Sequence, residues 1–395
     1  MKKSELKSVD DALAEFLSFV EPIGRTVMLT LEEADDRILA RNVVAPMDYP
    51  HYDQCILDGY AVRTEDLAGC GENNSRPLSL VVGNHVNGGC CTLVHTGDAF
   101  PAGADALLPL EDASEENGYV LASKEVTEGQ WIWPKGGGLA RGELVVREGH
   151  QLKPIDIAML AKVGIDAVEV YDRPSVLILP TGDECINRGK EVPPGFVYET
   201  NGLMVSLLVK RYGGSPTLHD VVPDDQVRLE KALTEGTHYD LIVTIGGSSG
   251  SKRDLMEEVV SSIGEALFHG VALHPGNHMG TGVIKKGEKQ TAVIFSPGYT
   301  ESCAVAAFVF GEAAVRRLGH FPASLHAGYQ AQLTGDLSVR VGIRGVRKVN
   351  IQNGKAKPIK MLGETHLPGN YGYVVVPEDR AGFDAGESVE VLHFE

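Results

Sequence analysis

The sequence predicts a multidomain α/β protein, and three observations carry that prediction. Apolar runs of strand length alternate with amphipathic helical stretches over 173–320, short strands punctuated by Gly and Pro fill 45–146, and β-alternation without a convincing helix closes the chain over 321–395. At the start, MKKSELKSVDDALAEFLSFV has helical apolar spacing, and Asp10, Asp11 and Glu15 break any apolar core of a secretory leader. IDIAMLAKVGI, at 155–165, shows the helical spacing again. This order predicts one helical domain made of 1–44 and 147–172, with a β-rich domain at 45–146 inserted in it. GCGENN, NGG, PAGAD and KGGG read as the turns of the insert.

From Arg173 strand and helix alternate. SVLILP is a short apolar run ending at TGDE, and NGLMVSLLVKRYGG follows with one apolar helical face, Asn201 as the expected N-cap and Gly213-Gly214 as the stop. TLHDVV, the turn PDD and the helix QVRLEKALTEG come next, then DLIVTI with its helix, and AVIFSP with TESCAVAAFVFGEAAVRRL. Repeated strand–helix units predict a doubly wound, mostly parallel sheet covered by helices on both faces over 173–320. Beyond it SVRVGI, YVVVPE and SVEVLHF alternate with turns, which predicts a small C-terminal β-barrel or sandwich over 321–395.

Composition narrows the function. The 395 residues suffice for two to four domains at about 150 residues each. Lys+Arg 36 against Asp+Glu 54 leaves a net charge of −18, which repels a phosphate backbone and argues against nucleic acid as a partner. An anionic small molecule remains compatible where aimed backbone NH groups or a metal ion offset local repulsion. No apolar run approaches a membrane span, so no membrane partner is expected and the cytoplasm is the expected compartment. Six cysteines without C-x-x-C spacing read as reduced, mostly structural thiols.

In open parallel sheets, ligands bind beyond the carboxyl ends of the strands. Those ends carry TGDE (Thr181, Gly182, Asp183, Glu184), PDD with Asp224 and Asp225, a Gly/Ser loop (Gly246, Gly247, Ser248, Ser249) reaching Asp254, and SPGYTES ending at Ser302. An NH-rich loop can wrap phosphate oxygens, and hard carboxylates such as Glu184 and Asp254 can hold Mg²⁺ against them. The loop lacks the G-x-x-x-x-G-K-[ST] order of a P-loop, a Gly/Ser loop is as often only a tight turn, and capping the next helix is the commoner use of an Asp at the places of Asp224 and Asp225. Two further stretches are too structured for linkers: MDYPHYDQCILDGYAV, with Asp48, Asp53 and Asp58, and HTGDAFPAGADALLPLED, which begins at His95 and Thr96.

Together these residues resemble the MoeA and gephyrin E-domain family, the molybdopterin molybdenumtransferases, over nearly the whole chain. The family's P-x-D-x-P-x-F-D-x-S-A-M-D-G-Y-A element is matched by Pro46, Asp48, Pro50, Tyr52, Asp53, Asp58, Gly59, Tyr60 and Ala61. Its T-G-x-x-x-P-x-G-A-D element is matched by Thr96, Gly97, Pro101, Gly103, Ala104 and Asp105. S-T-G-D-E appears as PTGDE, Y-D-T-N as Tyr198-Glu199-Thr200-Asn201, and G-G-V-S-x-G-x-x-D retains Gly246, Gly247, Ser249 and Asp254.

The resemblance implies an elongated, four-domain homodimer with a shared cleft and a molybdopterin-binding domain at 173–320. It implies adenylylated molybdopterin and molybdate as substrates, Mg²⁺ as cofactor, release of AMP, and other molybdenum cofactor biosynthesis proteins as partners. By motif position Glu184 and Asp254 hold the metal or phosphates, and Asp58, Thr96 and Asp224 line the cleft, Asp58 and Thr96 coming from the second copy. Thr181, Gly182, Asp183, Asn201, Gly246, Gly247, Ser248, Ser249, His274, Pro275, Gly276 and Ser302 bind the cofactor precursor or the anion.

The departures fall at the anion site. The family's K-P-G-K-P is His274-Pro275-Gly276-Asn277-His278 here, so two fixed positive charges are gone, and P-G-N-P-x-S is Pro297-Gly298-Tyr299-Thr300-Glu301-Ser302. S-A-M-D is Cys55-Ile56-Leu57-Asp58, and the acid of a G-E-D segment is replaced within Gly136-Gly137-Gly138. His269, His274 and His278 invite a metal-site reading, but Pro275-Gly276 breaks any helix that would align the last two. Two of the three imidazoles are expected to replace the family lysines, and anion affinity is then expected to rise at lower pH. The alternative is a paralogue that binds a pterin or nucleotide as carrier, scaffold or regulator without inserting metal; a molybdopterin adenylyltransferase ranks last because the flanking β-modules are present.

Overall fold

The computed structural model describes residues 6–189, 191–246, 255–323, 326–359 and 370–393. The chain forms two compact units, Met28–Val170 and Met1–Val27 with Tyr171–Glu395. Helix Val9–Ser18 buries Val9, Ala12 and Phe16 in the α/β core of the second of these, a placement that the grouping of 1–44 with 147–172 had not suggested.

The core of Met28–Val170 is a six-stranded sheet in the order Ala106–Pro109, Gly59–Val62, Cys90–Val94, Arg76–Leu80, Tyr119–Ala122, Ala113–Glu116. Alternation sorts its side chains: Tyr60 and Val62 enter one cluster with Leu78, Cys91 and Leu108, whereas Ala61 enters another with Cys55, Val94 and Leu107. Strand Gly59–Val62 approaches its neighbour so closely that a Cβ on Gly59 would lie 2.3 Å from the Leu108 carbonyl oxygen. Helix Pro154–Lys162 confirms the helical spacing read after the insert.

The other unit is built on a six-stranded sheet in the order Ser215–Leu218, Ser175–Pro180, Leu241–Ile245, Lys289–Ser296, Gly280–Lys286, Gly264–His269. The first four strands are parallel, and the buried runs of the inner three are covered on both faces. Val176 and Ile178 pack with helices Asn201–Arg211 and Thr300–Ala306 on one side, while Leu177 and Leu179 pack with helices Gln226–Glu235 and Leu255–Ile263 on the other. This is the doubly wound arrangement. Its antiparallel hairpin, 264–286, was not legible in the sequence because glycines interrupt its apolar pattern. A Cβ on Gly264 would sit 2.0 Å from the Val283 carbonyl oxygen and one on Gly280 2.6 Å from that of Phe268, so close backbone approach demands those glycines.

The C-terminal strands Gly328–Leu333, Arg344–Gln352, Lys355–Pro358, Asn370–Val376 and Ser388–Leu392 close on themselves, since Arg344–Gln352 pairs with both Lys355–Pro358 and Asn370–Val376. The closing module is therefore a five-stranded barrel filled by Leu333, Val349, Val374 and Val391. All six cysteines are free, and among the described residues no helix is long and apolar enough to cross a membrane.

At the amino end of the parallel strands, Asp240 accepts from both guanidinium nitrogens of Arg25 at 2.9 and 2.7 Å, and from Ser175 N and Oγ at 2.7 and 2.8 Å. Burial pushes its pKa up, but Arg25 and Ser175 outweigh that and hold it below the ordinary carboxylate range. Asp240→Ala is expected to lower the unfolding free energy by about 2–4 kcal/mol in denaturant titrations. Because the folded pKa is depressed, the contribution is complete above the unfolded value and fades as pH falls through the folded one. The gap between variant and wild type therefore closes below about pH 4.

Candidate functional site

Register decides which loops meet. Pro180 is level with Ile245, and Ile245 with Ser296, so Thr181, Gly246 and Pro297 leave the sheet side by side. From strand Ser175–Pro180 the chain winds first to Ser215–Leu218 on one flank and then to Leu241–Ile245 on the other, which makes this edge the topological switch point. Thr181 N donates to the Ile245 carbonyl at 2.8 Å, and Gly246 N to that of Ser296 at 3.0 Å. Gly246 has φ +99°, and a Cβ there would lie 2.6 Å from the Thr181 carbonyl oxygen; one on Gly298 would touch the Gly246 Cα at 3.5 Å. At Gly246 only glycine permits this convergence, whereas Gly298 meets its neighbour at ordinary van der Waals distance.

Between these loops opens a cleft of about 450 Å³. Pro180, Thr181, Glu184 and Cys185 form one wall, Val197–Asn201 another, and Gly246, Gly298, Tyr299 and Thr300 the third. Thr181 is buried, with its hydroxyl 3.4 Å from the Ile245 carbonyl. Asn201 is also buried, and the structure corrects its expected capping role. Thr200 occupies the N-cap without a side-chain bond, Glu199 Oε1 accepts from Gly202 N at 2.6 Å, and Asn201 Nδ2 donates instead to the Gly298 carbonyl at 2.7 Å. Its Oδ1 has no hydrogen-bond partner. Next to this cleft Asp183 Oδ1 accepts from Asp224 N at 3.2 Å, and Asp225 caps helix Gln226–Glu235 by accepting from Arg228 N, as the sequence suggested. The Cys185 thiol is pushed up to about 11 by burial, aided by the charges of Glu184, Glu199 and Asp224, so these three carboxylates share one neighbourhood. Gly247, Ser248, Ser249 and Asp254 lie outside the described residues.

His274 stands elsewhere. Strand Leu273–His274 pairs in parallel with the barrel strand, Leu273 with Arg344 and His274 with Gly345. It thereby faces a second cavity of about 420 Å³ with Asn277, Ser338, Arg340 and Arg347 on its walls. Arg347 donates to the Ser338 carbonyl at 2.8 Å. Burial, reinforced by the charge of Arg347, holds the His274 pKa below its ordinary value, so the ring is neutral at pH 7. Pro275 and Gly276 are buried, and a Cβ on Gly276 would come within 3.6 Å of the Ser302 carbonyl oxygen, which places the His274–His278 turn against the helix that begins at Thr300. His269 and His278 form no shared metal site: both ring nitrogens of His269 are engaged, with Glu257 and with the His278 carbonyl. Arg340 and Arg347 were missed in the sequence, and only the pairing of residues some seventy positions apart brings them to His274.

In Met28–Val170, antiparallel register sets Gly59 opposite Val94 and so brings Asp58 to Thr96. Asp58 Oδ1 accepts from Thr96 N at 2.7 Å and from Thr96 Oγ1 at 3.0 Å, with His95 Nδ1 at 3.9 Å. The Thr96 amide first, then its hydroxyl and the His95 charge, hold the Asp58 carboxyl below the ordinary range.

Residues 7–164 match the MoeA N-terminal region (domain I and II), and 177–317 match a "Probable molybdopterin binding domain". A molybdopterin biosynthesis protein of Methanocaldococcus jannaschii is 30% identical over 98% of this chain and 96% of its own length. The chain belongs to the MoeA family. The molybdopterin molybdenumtransferase of Haemophilus influenzae is 30% identical over 70% of each chain. A crystal structure of a molybdopterin biosynthesis MoeA protein from Pyrococcus horikoshii superposes with a TM-score of 0.84 at 28% identity, covering 99% of this chain and 100% of that one. Membership places the chain in molybdenum cofactor biosynthesis.

Thr96→Val removes the hydroxyl donor and keeps the amide. The Asp58 pKa is expected to rise toward the ordinary carboxylate value, read by NMR titration of the side-chain carboxyl; an unchanged titration would show that the pair has no electrostatic weight.

Proposed function

We propose that this protein is a molybdopterin molybdenumtransferase that inserts molybdenum from molybdate into adenylylated molybdopterin and releases AMP with the aid of Mg²⁺. The observation that carries the reading is the cleft at the switch point of the region that matches a molybdopterin-binding domain, accompanied by a second, arginine-walled cavity in the same unit.

In this reading the cleft takes the adenylate. The Asn201 side chain, whose Oδ1 has no partner, orients it, and the close-packed loops keep the reacting anhydride in one position. Among the described residues no three His, Cys, Asp or Glu side chains are grouped as a metal cage. Mg²⁺ is nevertheless compatible with the donor set, because it needs only one or two carboxylates and takes its other ligands from phosphate and water. Glu184 would hold it together with Asp254, and the ion would offset phosphate charge and polarise the anhydride. Glu184, Glu199 and Asp224 already crowd negative charge around Cys185, a field that would repel the substrate without such a counter-ion. Molybdate takes the second cavity, where Arg340, Arg347 and Asn277 offer cationic and amide donors in place of the family lysines. The Asp58–Thr96 pair completes the cleft from a second copy of the chain, in a cytoplasmic homodimer whose four domains divide at 44, 146, 172 and 320.

Neutral His274 favours a second reading, in which the chain binds a pterin or nucleotide as carrier, scaffold or regulator without inserting metal. One assay separates the two. Adenylylated molybdopterin, Mg²⁺ and molybdate are expected to yield AMP, and Glu184→Gln to slow its release at least about tenfold. Binding without AMP would support the second reading, and no binding would sink both. For the anion cavity, molybdate affinity is expected to rise only as pH falls below the ordinary histidine range and His274, its pKa depressed by burial, gains a proton. His274→Lys is expected to bind molybdate about three- to tenfold more tightly at pH 7.5 and to lose that pH dependence between pH 5 and 8. Calorimetric titration reads both effects.

A further inference from the structure

Among the described residues that line the rim cleft, Thr181, Glu199 and Asn201 have side chains that are both polar and buried. They form its floor, and the floor offers acceptors. Asn201 is 8% exposed, and its Nδ2 donates to the Gly298 carbonyl at 2.7 Å. That bond fixes the amide, because a turned amide would set Oδ1 against the same carbonyl, acceptor to acceptor. Oδ1 is therefore the atom left over, shielded from water and without a hydrogen-bond partner. Glu199 accepts from Gly202 N and brings a negative charge, while the Thr181 hydroxyl is turned toward the Ile245 carbonyl. The side-chain donors of the floor are thus spent on the main chain.

An occupant of this floor must arrive with a donor of its own, since a buried acceptor left unpaired is costly. The walls favour a flat occupant. Tyr198 and Tyr299 stand on different walls, each a little under half exposed, and an aromatic face there suits a planar ring. Charge decides which end of a nucleotide goes in. Glu184 is exposed, so a phosphate with its magnesium ion belongs at the outer rim, and the Glu199 carboxylate turns phosphate away from the floor. The end that enters is the base.

We infer that Asn201 reads the exocyclic amine of adenine, accepting its N–H through Oδ1, and so makes the cleft specific for a purine nucleotide that carries an amine at this position. This rests on the reading that the cleft takes the adenylate, and it names the group by which the adenylate is recognised. A purine without the amine would cover Oδ1 and leave it unpaired. One with an oxygen in place of the amine would set a further acceptor against Oδ1 and Glu199. Selection comes from what the wrong base leaves unpaired and needs no contact with phosphate.

The test titrates the full chain calorimetrically in MgCl2 with AMP, with purine riboside monophosphate, which lacks the amine, and with IMP, which carries oxygen in its place. The wild type is expected to bind AMP at least about tenfold more tightly than either analogue. Asn201→Leu is expected to weaken AMP to the level of purine riboside monophosphate, so that the ratio between the two falls below about twofold. Asn201→Ala serves the same purpose should Asn201→Leu fold poorly. Tyr299→Ala is expected to weaken both nucleotides about threefold or more and to keep their ratio, because stacking does not depend on the amine. Equal wild-type affinity for AMP and purine riboside monophosphate would assign the buried oxygen to the ribose; it overturns the inference and spares the functional reading. A ratio that survives loss of the Asn201 amide overturns it too. Failure of all three nucleotides to bind the wild type removes the reading of the cleft and the inference with it.

Discussion

The parallel register of three neighbouring strands governs everything else in the larger unit. Pro180, Ile245 and Ser296 are level, so the residues after them must share one rim, and the peptide groups there are used up in binding one another before they can bind anything else. The rim closes this tightly only because the residue at the central crossing lacks a side chain. Gly246 sits against Thr181, and Gly298 against Gly246. The cleft is thus a by-product of sheet geometry made permanent by Gly246, with Glu184 and Asn201 brought in from the loop and the helix that the same winding delivers.

Charge is the second organising theme. A chain with a net charge of −18 gathers further carboxylates around the cleft of a region that matches a molybdopterin-binding domain. The basic groups are segregated. Arg340 and Arg347 lie at the barrel's edge beside a histidine kept neutral by burial, so this cavity offers permanent positive charge beside the His274–His278 turn. Segregation keeps those cations from pairing with the cleft carboxylates, which would neutralise both sites.

Much of this was legible because buried parallel strands read as unbroken apolar runs. SVLILP and DLIVTI could hardly be anything else, and the domain order with its quoted motifs carried the resemblance. Glycine-rich β-structure hid better. The hairpin of 264–286 looks like loop because its strands are spaced by glycines that lie under other backbones. Local capping logic failed at Asn201, where the buried Glu199 took the helix-end amide and freed the asparagine to bond Gly298. Capping logic succeeded at Asp225, an exposed helix end with no competitor. Tyr198, Glu199 and Tyr299 stood inside recognised motifs without being singled out, whereas Arg340 and Arg347 gave no signal at all, since nothing in a linear reading pairs Leu273 with Arg344.

That last pairing has a bearing on how the protein comes into being. All walls of the cleft are translated once Thr300 has emerged, but the second cavity waits for Arg347. A nascent chain still attached to the ribosome thus acquires its two compartments in sequence, the rim cleft before the arginine-walled cavity. A message truncated between them would encode half of the workshop with its door already hung.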